Sequence, residues 1–238
     1  MTELNNKTIG AIVADNYATS EVFARHGINY YSQGHRTLAE ASHEAGIATE
    51  TLCTELETCP NAGKLPFASW PTDLLIDYVL KIHHRNIREQ GPELLALVEK
   101  VARVHGDKHP ELREIYELVA ESIEDLLAHL VKEEQVLFPY LLQLDEVAKQ
   151  GIKTGPMHCG SVIHPIGVMR MEHEMEAQRY TLITQLSGGY QAPEGACTSY
   201  RKMMGDLQNF MTALYEHIHL ENNILFLRAL ELEEACVG

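Results

Sequence analysis

His129-Leu-Val-Lys-Glu133-Glu-Gln-Val-Leu137-Phe138 decides the fold, because the chain repeats it as His217-Ile-His-Leu-Glu221-Asn-Asn-Ile-Leu225-Phe226. Both stretches read His-x3-Glu-x3-Leu-Phe, and the second follows the first by 88 residues, from 129 to 217. A single histidine precedes each copy at a matching distance, His84 by 45 residues and His173 by 44. The chain therefore holds two copies of one plan, a helix with one His followed by a helix with His-x3-Glu. Together they supply four imidazoles and two carboxylates, a donor set suited to a pair of iron ions.

Helical phase places these residues inside. At about 100° per residue, Leu207, Phe210, Met211, Leu214, Ile218 and Leu225 fall on one stripe that also carries His217 and Glu221. Val119, Leu126, Leu130, Leu137 and Leu141 share a face with His129 and Glu133 in the same way. A carboxylate within an apolar stripe is costly unless it is paired or bound to metal. A hydrogen bond between i,i+4 partners explains one such motif. Two phased copies with two further histidines point to a metal centre. If Glu133 and Glu221 both bridge, each ion has two His and two carboxylate oxygens, and a bridging oxide or hydroxide makes five donors. That leaves an exchangeable position on each ion. Zinc binding in vitro stays open, since affinity alone does not select iron.

Four long helices are expected, at about 72–104, 109–147, 165–187 and 198–233. Thr72 with Asp73 opens the first, Gly91-Pro92 should bend or interrupt it, Pro165 opens the third, and Thr198 caps the fourth. Short connections make neighbouring helices antiparallel. Before them, 9–26, 36–45 and 47–57 read as short helices, and the turn-rich Cys59–Pro66 reads as a linker. The expected fold is all-α, a small helical N-terminal domain at 1–62 followed by an antiparallel four-helix bundle at 63–238. No segment shows sustained strand alternation.

With 238 residues and 45% hydrophobic content, the chain can bury a sizeable core. A net charge of −15 argues against nucleic acid and anionic membrane as partners, while an acidic entrance attracts cations. The beginning of the chain lacks a basic-then-apolar leader, and no run of 18 apolar residues occurs, so a soluble cytoplasmic protein is expected. Five scattered cysteines without a CxxC pair argue against a disulfide framework and a four-Cys zinc site.

Other residues read less sharply. His83 lies nearer than His84 to the centre of the stripe Ile76, Val79, Leu80 and Ile87, whereas His84 has the better repeat offset. Asp125 and Glu172 stand where each can orient an imidazole or line an acidic iron path. Glu134 is expected to face solvent and His219 to face away from the stripe. His158-Cys159 with His164 offers a loop site of weaker spacing. Met169, Met171, Met175, Met203, Met204 and Met211 read as core packing.

The four bundle stretches resemble the repair of iron centres family, the ScdA- and YtfE-type hemerythrin-like di-iron proteins. The matching blocks are His84-Arg-Asn-Ile-Arg88-Glu89-Gln90-Gly-Pro92, His129 through Pro139, Val168-Met-Arg-Met-Glu172-His173, and His217 through Phe226. Val22-Phe23-Ala-Arg-His-Gly27-Ile28-Asn29 and Arg36-Thr37-Leu38 resemble the family's leading domain. The resemblance implies His84 rather than His83 as ligand, giving His84, His129, Glu133, His173, His217 and Glu221 around two non-haem irons bridged by carboxylates and an oxo or hydroxo group. It implies a stress-response protein that repairs iron–sulfur clusters damaged by nitric oxide or oxidants, by donating iron to the damaged proteins, and it allows a homodimer. Two alternatives stay open at the same centre: a nitric oxide or peroxide reductase, and an oxygen-binding or sensing module. Against the last stands the family comparison itself, since hemerythrins use more His than this four-His, two-Glu set. The family's Cys-Cys-Gly-Gly is here Tyr31-Ser32-Gln33-Gly34, so thiol chemistry attributed to that pair is expected to be absent. Phe226-Leu227 replaces a second Phe-Pro without touching a ligand.

Overall fold

The computed structural model describes residues 2–60, 66–155, 157 and 160–237. Helices α1 to α5 span Thr2–Asn5, Ile9–Asp15, Ser20–Arg25, Leu38–Glu44 and Thr49–Glu57. Helix α6 runs through Thr72–Tyr78, a π-helical segment Val79–His84 and Arg85–His105. Helix α7 comprises Glu111–Lys132, a π segment Glu133–Leu137 and Phe138–Gln150. Helix α8 is Ile163–Leu186, and α9 joins Thr198–Leu220, a π segment Glu221–Leu225 and Phe226–Cys236. The all-α reading holds: the described residues contain no named strand and only two isolated bridges, Thr8 with Thr37 and Thr154 with Val237.

The chain forms two compact units. One contains Met1–Ile76, Leu144–Val162 and Glu216–Gly238; the other contains Asp77–Gln143 and Ile163–Tyr215. The expected 62/63 boundary falls among residues 61–65, outside those described, as does His158-Cys159.

In the first unit, local rules set the short helices. Thr8 accepts a hydrogen bond from the Ala11 N–H at the start of α2. Thr37 and Glu40 form a full capping box at α4. Ile9, Val13, Phe23, Leu38 and Leu52 are fully buried beneath them. The expected single helix over 9–26 is divided, because Asn16 adopts an extended backbone between α2 and a 3-10 turn at Tyr17–Thr19. Side chains of α9 reach main-chain oxygens of the leading segment. Asn222 Nδ2 donates to the Tyr31 carbonyl at 3.3 Å, and Asn223 Nδ2 to those of Tyr30 and Tyr31 at 3.0 and 3.3 Å. Arg228 donates to the carbonyls of Trp70 and Ala68 at 2.7 and 2.6 Å.

In the second unit, α6 packs on α7 and α7 on α8. Gly91 permits the first approach: a Cβ there would stand 2.9 Å from Ile123 Cδ1. Pro92 does not interrupt α6, which stays helical from Arg85 to His105. Proline removes one backbone donor, and the buried face of Ile87, Leu94, Val98 and Val101 outweighs that loss. Thr198 stands as the first residue of α9 rather than in front of it.

Candidate metal centre

Each His-x3-Glu motif lies where an α-helix turns into a π-helix. In α7 the π segment starts at Glu133, in α9 it starts at Glu221, and in α6 it ends on His84. The Phe138 N–H closes on the Glu133 carbonyl and the Phe226 N–H on that of Glu221, an i→i+5 pattern. Such single π turns rotate the following side chains out of α phase and recur at functional sites. His173 alone is carried by an uninterrupted α-helix, α8.

All six expected site residues are buried, with side chains exposed by no more than a few per cent: His84 0%, His129 3%, Glu133 0%, His173 2%, His217 1% and Glu221 0%. Within α7, His129 Nε2 lies 3.2 Å from Glu133 Oε1. His84 Nε2 approaches the other oxygen, Oε2, at 3.4 Å. His173 Nε2 lies 3.1 Å from His129 Nε2. Two ring nitrogens so close cannot both carry protons, and both turn toward the same point. In α9, His217 Nε2 stands 2.8 Å from Glu221 Oε1. Among the described residues, two groups have ligand atoms within 4.8 Å of one another: His84, Glu133, His217 and Glu221, and His129, Glu133, His173 and Glu221. The groups share both carboxylates and divide the four histidines in pairs. A set of imidazole nitrogens and carboxylate oxygens without thiolate fits iron or manganese.

Outer carboxylates fix the rings. His84 Nδ1 meets Glu134 Oε1 at 2.7 Å, and Arg88 grips both oxygens of Glu134 at 2.7 and 2.9 Å. His129 Nδ1 meets Glu172 Oε2 at 2.8 Å, and Lys132 holds the other oxygen. Each imidazole thus keeps Nε2 inward and gives its Nδ1 proton to a carboxylate, the arrangement that raises the basicity of a metal-binding His. The Arg88 guanidinium, with His84, holds the Glu134 carboxyl below its usual range. The hydrogen bond from His129 lowers that of Glu172 to about 2. Both groups are therefore anions at neutral pH.

Three expectations need correction. Glu134 does not face solvent but supports His84, because α6 supplies His84 and Arg88 on the side it faces. Asp125 pairs with Arg179 at 2.8 Å rather than with His129. His219, off the stripe of His217 and Glu221, is fully buried, its ring 6.0 and 5.7 Å from those of Tyr17 and Tyr30. Met171 and Met175 are exposed, whereas Met169, Met203 and Met204 are core. With Glu172, Glu176, His129 and His173, the two exposed methionines line a pocket of about 280 Å3. Sequence reading missed Glu176, a buried carboxylate accepting from Ser122 at 2.7 Å and from Arg179; no spacing rule singles it out.

Burial pushes the His219 pKa down to about 3. The folded protein thus keeps this ring neutral where the unfolded chain would protonate it, below about 6.5. The associated stability is complete above that pH and lost as pH falls toward 3. In metal-free protein, His219→Gln should flatten the decline of the melting temperature across that window; an unaltered decline would show the ring titrating freely.

A model of the hemerythrin HHE cation binding domain matches residues 75–229. A model described as a domain of unknown function, ScdA_N, matches residues 5–59. The iron-sulfur cluster repair protein YtfE of Yersinia pseudotuberculosis (serotype O:1b, strain IP 31758) is 34% identical over 97% of this chain and all of its own length. YtfE of Yersinia pestis (strain Pestoides F) is 33% identical over the same shares. A small helical leading domain and a hemerythrin-type helical bundle, as read from the sequence, are thus what the chain contains. It belongs to the hemerythrin HHE family and stands among the YtfE proteins.

Proposed function

We propose that this protein repairs iron–sulfur clusters damaged by nitrosative or oxidative stress, donating iron from a two-iron centre held by His84, His129, Glu133, His173, His217 and Glu221. The observation that carries this reading is the pair of overlapping buried ligand groups sharing Glu133 and Glu221. In this reading His84 and His217 would hold one ion and His129 and His173 the other, with Glu133 and Glu221 available to both. Bound iron supplies a redox-active and exchangeable metal. The chain's own residues do the rest: Glu133 and Glu221 balance cationic charge, and Glu134 and Glu172 orient the rings of His84 and His129. The name of the relatives, iron-sulfur cluster repair protein, supports the choice of acceptor.

We infer as well that 1–62 and 63–238 act as separate functional parts of a cytoplasmic homodimer. No described helix is long and apolar enough to cross a membrane. Ferrous protein, loaded without air, should reactivate a nitric-oxide-damaged iron–sulfur dehydratase faster than the same total iron given as a ferrous salt. Recovery no better than the salt control sinks donation. One observation favours a second reading, reduction of nitric oxide or peroxide: the pocket beside His129 and His173 admits a small molecule. Sustained turnover with an added reductant, beyond the iron bound, would decide for that reading.

A further inference from the structure

Glu221 opens a π turn whose neighbours are held by the leading segment, all within one compact unit. Asn223 Nδ2 donates to the carbonyls of Tyr30 and Tyr31 and lies 2.9 Å from His219 Nδ1. An amide nitrogen only donates, so His219 Nδ1 accepts and its proton sits on Nε2. Asn222 adds a bond to the Tyr31 carbonyl. The seat is tight. A Cβ on Gly34 would stand 2.1 Å from Asn223 Oδ1, and one on Gly10 would stand 2.6 Å from the same side chain. Residues 219 and 223 are i,i+4 partners that bracket Glu221, and both are fastened to the leading segment, one by ring packing and one by hydrogen bonds. Glu133, at the corresponding turn of α7, is flanked instead by Glu134, which Arg88 and His84 hold.

We propose that Asn223, assisted by Asn222, is a positioning residue for Glu221, through which the leading domain sets how firmly the centre retains iron. Glu221 is the first residue of the π turn, so the backbone that follows it has left α register. His217 steadies one of its oxygens, and the grip on the residues that follow holds the turn that carries it. With the grip intact, Glu221 is presented to the site in one orientation. With it cut, the carboxylate samples others and the metal leaves sooner. This inference rests on the proposed two-iron centre.

The test uses full-length protein loaded with ferrous iron, and reads both the rate of iron transfer to a ferrous chelator and the Mössbauer spectrum. Asn223→Ala should release iron about tenfold faster, the scale seen when a residue supporting a ligand is lost, with an altered spectrum. Asn222→Ala, which removes a single longer bond, should shift the rate in the same direction by a few-fold. Leu52→Ala cuts a fully buried side chain of the leading domain without touching the grip. It should lower the melting temperature yet keep the wild-type release rate and spectrum. Equal release by wild type and Asn223→Ala overturns the inference, as does an equal acceleration in Leu52→Ala. Should Asn223→Ala fail to fold, an unchanged rate in Asn222→Ala overturns it alone. A wild type that takes up no iron overturns the two-iron reading as well, which separates the two failures.

Discussion

Replacing Glu133 and Glu221 together by methionine is expected to empty the centre of iron and to raise the melting temperature of the metal-free protein. Wild type loaded without air should hold about two irons per chain, and the double variant none. Both carboxylates are completely buried, between histidines that approach them at 2.8 to 3.4 Å. Without metal such groups pay desolvation that the surrounding side chains return only in part. Exchanging buried ionic groups for apolar side chains of similar volume is often neutral or stabilising by about 1–4 kcal/mol. For a chain of this size each kcal/mol moves the midpoint by about 2–4 °C. Opposite signs for metal content and apo-stability would mark the pair as residues kept for binding. Retention of two irons by the variant would remove Glu133 and Glu221 from the ligand set.

The second large effect concerns the outer carboxylates. Glu134→Leu removes the acceptor of the His84 Nδ1 proton, and Glu172→Leu does the same for His129. Each should weaken iron binding by about 10–100-fold, measured by chelator competition. Arg88→Leu leaves Glu134 in place but frees it, so its loss should be smaller than that of Glu134→Leu. Affinities unchanged in both Leu variants would mean that the rings keep their orientation from packing alone. For His84 the rival is its stack on Phe138, ring centroids 5.7 Å apart.

Spacing and apolar phase sufficed to place the two His-x3-Glu motifs in the interior, because within each motif the helix is still regular up to the Glu. They also placed the four long helices, whose observed starts at Thr72 and Thr198 match the polar residues that mark them. Beyond each Glu the same arithmetic fails. A π turn inserts one residue without any signal in composition, and so His83 could not be separated from His84 by phase; Glu134 was misjudged because α6 supplies His84 and Arg88 on the side given to solvent. Both of those histidines are in fact buried, on a π segment that ends between them and Arg85. The surroundings of His219 were illegible for another reason: the rings of Tyr17 and Tyr30, nearly 190 residues or more away in sequence, cover the face it occupies. Glu172 was legible as a neighbour of His173, though its partner turned out to be His129 on another helix. Tertiary pairing of this kind leaves no periodic trace in one chain.

The bonds from Asn222 and Asn223 end on the main-chain oxygens of Tyr30 and Tyr31. A carbonyl has the same lone pairs whichever side chain its residue bears. A substitution at Tyr31 or Ser32 therefore leaves the hydrogen-bonded join to α9 in place, whereas any side chain at position 10 or 34 would collide with Asn223 and break it.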